Sequence, residues 1–293
     1  MTTDKLNLLG ELLSIDAKDA GALGFMARPL VQVTLPHRNP GDVPAYTRSC
    51  GNLHLTIQPM IIQQGKKFIN YGVAYGTIPR LVMAWLSTET VKTKSREIPL
   101  GDSLSSFMRS LDLLPTGGRW GTIGRLKQQV ARLFSCSFSL LYDETNQLTD
   151  PGHLLNAGFR LASRYHFFWD PMHPEQAALF NSSVTLSEDF YNIITNKPVP
   201  VDMRILKAVR SSPLALDIYT WLTYRMSYLE KPSAIPWERL RDQFGSEYKE
   251  LKTFKFKFIK RLGDVLALYP AKVQLQEDVL ILLPSKTSIG KIR

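Results

Sequence analysis

Between Lys249 and Arg261 six side chains are basic (Lys249, Lys252, Lys255, Lys257, Lys260 and Arg261) and one, Glu250, is acidic. At 100° per residue, Leu251, Phe254, Phe258, Leu262 and Val265 share one helical face. Lys249, Lys252, Lys257 and Lys260 gather on the opposite side with Thr253 and Phe256 among them, while Lys255 and Arg261 flank the boundary. One face suits a core and the other suits a polyanion. Ammonium groups release counterions from phosphates and so bind without reading sequence. Discrimination would fall to Thr253, to a lysine or arginine reaching base edges, or to DNA shape. The ordinary alternative is a solvated lysine-rich face.

A second cluster is similar in design. Arg119, Arg125, Lys127 and Arg132 surround Ile123, Leu126, Val130 and Leu133, which recur at helical spacing. Arg119 and Trp120 stand where a helix begins and backbone N–H groups are free to meet phosphate. Thr122 and Gly124 are small enough for close approach to a base pair. Gly117-Gly118 suits that approach, or serves only a tight turn.

The elements that carry these clusters follow from pattern. Residues 1–45 read as a weakly structured arm with one short helix, Asp4 to about Ile15, and a linker at Leu35-Pro36-His37-Arg38-Asn39-Pro40-Gly41. Residues 52–75 are strand-like, with a turn at Gly65-Lys66-Lys67. Helices are expected from Pro79 to about Thr93, from a cap at Asp102 or Ser103 through Leu111, and from Thr122 to Phe134, with a short strand at Arg96–Leu100 between the first two. Ser137–Tyr142 and Gly158–Trp169 read as strands. The order then recurs. A short helix opens at Ser187, Pro198–Val201 breaks it, and Asp202 caps another to Val209. A long helix runs from Pro213 to about Tyr228, and a shorter one from Trp237 to Phe244. The basic helix spans about Tyr248 to Leu268, and Val273–Leu283 forms a hairpin. Helix, strand, helix, turn, helix, hairpin is the element order of a winged helix. The reading is therefore an α+β chain: an arm over residues 1–45, then two tandem winged-helix domains over residues 46–186 and 187–293.

Composition narrows the partner. The chain has 293 residues, 44% of them hydrophobic, enough for two domains with real cores. Lys and Arg outnumber Asp and Glu 36 to 26, a net charge of +10 that favours nucleic acid or an anionic membrane surface. Cys50 and Cys136 stand far apart, so neither a zinc motif nor a disulfide framework is available, and both read as apolar thiols in a reducing cytoplasm. The N-terminal apolar run is too short for a signal peptide, and no stretch approaches a membrane span. Gly65-Lys66-Lys67 lacks the flanking Gly and Ser/Thr of an ATP-binding loop. His166 and His173, which bracket Pro171, are a poor metal site, and no Ser/His/Asp arrangement is readable. A bacterial cytoplasmic binding protein without catalytic residues, metal or cofactor is expected. One short motif stands apart: Gln176-Ala177-Ala178-Leu179-Phe180 matches the loose Gln-x-x-Leu-Phe pattern of sliding-clamp partners, with Gln176, Leu179 and Phe180 as contacts. It reads more readily as an ordinary strand or helix edge that packs Leu179 and Phe180 into the core.

Three stretches carry a family resemblance. They are Tyr75-Gly76-Thr77-Ile78-Pro79-Arg80-Leu81 through Ala84–Glu89, Gly101–Arg109, and Pro115-Thr116-Gly117-Gly118-Arg119-Trp120-Gly121 continuing into Arg125-Leu126 and Leu133–Cys136. Together they cover roughly residues 70–142 and resemble the plasmid RepA replication-protein family, with a weaker likeness to about Leu283. The resemblance does not reach the first 45 residues. It implies binding to repeated origin sequences (iterons), local duplex opening, and recruitment of host replication proteins such as a helicase or its loader. It also implies copy-number control through occupancy, and it makes Gly117, Gly118, Arg119 and Trp120 the start of the first DNA-reading helix. Initiators of this class often switch between a dimer that represses and a monomer that initiates, so a monomer–dimer equilibrium is among the expectations. A winged-helix transcriptional repressor could use the same helices. A membrane-surface protein is disfavoured, because the face opposite the lysines is a core face with nothing left to insert.

Overall fold

The computed structural model describes residues 13, 15–119, 121–143, 154–167, 182–245 and 248–290, with the side chains of 154–157 left aside. The fold is α+β. The chain divides into two interleaved units: a central one, Leu35–Thr47 with Gly51–Lys197, and a C-terminal one, Met1–Thr34 and Arg48–Cys50 with Pro198–Arg293. The division at Lys197/Pro198 differs from the expected one at 186/187. The described part of the expected arm is also not loose. Strand β1 (Leu23–Met26) and helix α1 (Arg28–Gln32) belong to the C-terminal unit, and β2 (Tyr46–Cys50) carries the chain across the division. The expected helix over Asp4–Ile15 lies almost wholly outside the described residues.

In the central unit period-2 patterning gives β3 (Leu53–Gln58), which pairs antiparallel with β7 (Ser137–Asp143), itself paired with β8 (Leu154–Phe159). The register sets Leu55 opposite Leu140, Ile57 opposite Phe138, and Phe138 opposite Phe159, all buried on one face. A separate hairpin, β4 (Ile61–Gln64) and β5 (Lys67–Asn70), follows β3. Helix α2 (Thr77–Thr93) is buried along nearly its whole length. It begins two residues before the expected Pro79, which sits within the first turn, where a missing N–H breaks no intrahelical bond. Buried Arg80 donates to the carbonyls of Leu35 (2.6 Å), Pro36 (3.2 Å) and Gly76 (2.7 Å). That grip, with Leu35 and His37 buried, turns the expected 35–41 linker into structured chain at its start.

After α2 come β6 (Glu97–Pro99), α3 (Leu104–Ser110) and α4 (Thr122–Ser135), then β7 and β8. Ser103 caps α3 by accepting from the Ser106 N–H at 3.1 Å, so of the two expected caps it is the one used. The strands that return to β6 are β9 (Ala162–His166) and β10 (Ser183–Leu186), in the order β6-β10-β9. The hairpin expected directly after α4 thus joins β3, and the single strand expected over Gly158–Trp169 is two, broken at Arg160-Leu161. Helix α5 (Glu188–Thr195), capped by Ser187, packs on α2.

In the C-terminal unit Pro198–Val201 does not simply break a helix. It leads into β11 (Val199–Asp202), antiparallel to β1 with Leu23 opposite Asp202. Asp202 caps α6 (Met203–Val209) by accepting from the Arg204 N–H at 2.8 Å, and its carboxylate also holds the Arg204 guanidinium. The next elements are α7 (Pro213–Met226), β12 (Ser233–Pro236), α8 (Trp237–Phe244), α9 (Leu251–Leu266), β13 (Val273–Leu275) and β14 (Val279–Leu282). The three strands lie in the order β12-β14-β13. The C-terminal unit therefore holds a helix, a strand, two helices and two later strands, and the central unit has the same order with β7 and β8 inserted after α4. In each the last strand is the middle one of a three-stranded sheet.

Candidate nucleic-acid interface

Helix α9 is two-faced, as its pattern requires. Phe254, Phe258, Leu262 and Val265 are buried, and Leu251 is half-buried. Phe258 meets Trp237 edge-on at 5.8 Å and Phe244 at 5.6 Å, which fixes α9 against α8. On the opposite side Lys252, Thr253, Phe256, Lys257 and Lys260 are exposed. The helix begins at Leu251 rather than Tyr248, so Lys249 is exposed just ahead of it, on the side of its free N–H groups.

The cations of this helix differ in freedom. Lys255 donates to the carbonyls of Glu277 and Gln276 and lies over the Trp237 ring at 5.2 Å, so it fastens α9 to the β13–β14 turn. Arg261 is paired with Asp264 at 2.8 Å. Thr253 Oγ1 donates to Glu250 Oε2 at 3.2 Å. Phe256 is 64% exposed amid the lysines, with Lys257 Nζ 5.7 Å from its ring centre. Sequence reasoning assigns Phe256 no role. Its signal is a large apolar residue out of phase with the buried face, and such a ring can meet a thymine methyl.

In α4, Ile123, Leu126, Val130 and Leu133 are buried, and Gly124, Arg125 and Lys127 are exposed. Buried Gln129 accepts from the Tyr75 N–H at 2.8 Å. Arg132 donates to the Val73 carbonyl at 3.3 Å and lies over the Tyr75 ring, which makes it a clamp on the segment before α2 rather than an outward cation. Cys136 ends the helix. Burial pushes its thiol up to about 11.

The loop before α4 is built around Thr122 and Gly121. Thr122 donates to the Leu114 carbonyl, and its hydroxyl and backbone N–H exchange hydrogen bonds at 3.0 Å with the N–H and hydroxyl of Thr116. The Thr122 hydroxyl thus holds the loop closed. Gly118 has φ +81°, and a Cβ on Gly121 would lie 2.2 Å from the Thr116 carbonyl oxygen. The glycines are there for the turn, which in turn presents exposed Arg119 beside the start of α4. Trp120, the clamp-like Gln176, Leu179 and Phe180, and His173 lie outside the described residues.

The central unit also carries a basic groove that the sequence did not disclose. It is open, of about 940 Å³, and lined by Lys94, Arg96, Arg164, His166 and Tyr191 with Glu97 among them. Arg96 is partly committed there, donating to the Leu186 carbonyl at 3.0 and 3.1 Å. Four separate chain segments supply the groove, so no local run signals it. Among the described residues no three His, Cys, Asp or Glu side chains gather as a metal site, and no helix is long and apolar enough to cross a membrane.

Comparison with known proteins fits this architecture. No curated protein matches the chain. Solved structures do, among them the crystal structure of RctB domains 2–3, with a TM-score of 0.53 over 87% of this chain and 96% of that one, and a selenomethionine derivative of RctB domains 2 and 3, with a TM-score of 0.55 over 88% and 96%. Each is 13% identical, a likeness of fold. The family described as plasmid-encoded RepA protein matches residues 73–238, from the stretch of chain ahead of α2 to the start of α8. That span exceeds half the chain and takes in all of α4 and its glycine loop, so the chain belongs to the RepA family of plasmid replication proteins.

Proposed function

We propose that this chain initiates plasmid replication by binding repeated origin sequences through two winged helices, with α4 and α9 as the helices that meet DNA. It would open the duplex locally and recruit host replication proteins, with no covalent chemistry of its own. The observation that carries the reading is an arrangement common to both units: helix, strand, helix, helix, then a closing strand pair whose last strand is central, with β7 and β8 inserted after α4 in the central unit. In each unit the third helix turns exposed cations outward. Lys252, Lys257 and Lys260 on α9, and Arg125 and Lys127 on α4, are the outward side chains. Lys249 and Arg119 stand just ahead of the two helices, where backbone N–H groups add to phosphate binding. Phe256 and Thr253 supply apolar and hydroxyl contacts to base edges. Two such helices in one chain suit a monomer on one long site, whereas a repressor commonly reaches two half-sites by dimerising.

The test is equilibrium binding to a duplex carrying direct repeats from the plasmid origin, against a shuffled duplex of the same composition. Preference for the repeats of about a thousandfold or more is expected of a specific DNA reader. Equal affinity for both would overturn the sequence-specific part of the reading.

A further inference from the structure

The β4–β5 hairpin is a sheet by itself, with Ile62 opposite Ile69 and Gln63 opposite Phe68. Residues directly opposite share a face, so one side carries Ile61, Gln63, Phe68 and Asn70, and the other Ile62, Gln64, Lys67 and Ile69. Both sides are open. Phe68 is 74% exposed and Ile61 52%, while Ile62, Ile69 and Tyr71 are exposed as well. An isolated two-stranded ribbon is marginal in water, and apolar groups exposed on both of its faces ask for a partner.

The base of the ribbon is pinned, so its direction is set. The Tyr71 N–H donates to the Met60 carbonyl at 3.0 Å, and Asn70 Nδ2 donates to Asp42 Oδ1 and to the Val43 carbonyl. The tip is cationic: Lys66 and Lys67 are exposed beside Gly65, which takes φ +61°. From Val43 to Thr88 the chain has no Asp or Glu, and the Asp42 carboxylate is spent on Asn70 at the base. Side-chain amides at Gln63 and Gln64 complete the surface. This composition favours a polyanion with a stacked apolar interior over a second copy of the chain, whose own tip lysines would repel.

We propose that this hairpin is an arm that enters the minor groove of the bound duplex, with Lys66 and Lys67 on phosphates and Phe68 wedged at a base step so that the site bends. Four residue pairs span about 10 Å, enough to reach the floor of a groove roughly 7.5 Å deep. Apolar side chains inserted between base steps unstack them and kink the duplex, a deformation useful to a protein that must open DNA. The proposal rests on the DNA-binding reading above and adds to it residues outside α4 and α9.

The experiment uses the full chain and an origin duplex labelled at both ends, so that energy transfer reports bending and anisotropy reports affinity. Phe68→Ala should keep the repeat preference yet lose the bend and bind about tenfold more weakly. Lys66→Gln with Lys67→Gln should lower the salt slope by about two units. The hairpin is exposed, so both variants should melt with the unaltered chain. Unchanged bend and affinity in Phe68→Ala would overturn the arm while leaving the DNA-binding reading intact. So would sedimentation showing that Phe68→Ala splits a dimer with the bend unaltered. Absence of origin binding by the unaltered chain would remove both.

Discussion

Arg80 shows how a buried charge can serve the fold. Its guanidinium is satisfied by three carbonyls, two of them 44 and 45 positions upstream. Lysine keeps the charge but not the fork that spans these acceptors. Arg80→Lys should therefore cost about 2 kcal/mol in urea unfolding, and an unchanged midpoint would show that the carbonyls find other donors. Cys136 is fully buried, and its thiol is raised to about 11 by desolvation. Iodoacetamide at pH 8 should leave it unmodified in the native chain, because the reactive thiolate is scarce and enclosed. Rapid labelling would mean that the end of α4 opens readily. The sequence made Cys136 an apolar thiol, which is how it sits. It could not show Arg80 as a staple, because the acceptors are backbone groups far away in the chain.

At the scale of elements, Gly121 and Gly124 separate fold from binding. A Cβ at Gly121 meets backbone oxygens at 2.2 and 2.3 Å, whereas at Gly124 it meets nothing within 4 Å. Gly121→Ala should destabilise the loop and α4 together, seen as a lower melting temperature. Gly124→Ala should stabilise the free protein slightly, by less than the roughly 0.5–1 kcal/mol of a helix interior, because Gly124 stands in the first turn of α4. If α4 lies close against base pairs, the same change weakens DNA binding; equal affinity would place DNA elsewhere. On α9, Lys252→Gln, Lys257→Gln and Lys260→Gln together should flatten the salt dependence by roughly one unit for each phosphate left without its cation. An unchanged slope would return these lysines to solvent. Most helices were legible because caps and periodicity are local: Ser103, Ser187, Asp202 and Pro213 each mark a start within one residue. The basic face of α9 was legible for the same reason. Strand partners were not. The pairing of β1 with β11 joins residues some 180 apart, and β7 and β8 interpose between α4 and the strands that return to β6.

At the scale of the molecule, two units share a helix–strand–helix–helix order and a closing strand pair, with β7 and β8 inserted in the central one, and each holds a helix with a core face and a cationic face. The interleaving of the units explains why a boundary drawn along the sequence fell short: residues 15–34 pair and pack with chain beyond Pro198. The net charge of +10 gives the chain a general attraction for DNA, so affinity alone cannot distinguish an initiator from a nonspecific binder. Position along the origin can. The most direct measurement is a footprint of the purified chain across the plasmid origin at two salt concentrations. Protection of several direct repeats beside an AT-rich stretch, retained at the higher salt, is the expected result. Protection of one promoter palindrome alone, or none that survives the added salt, would contradict the account.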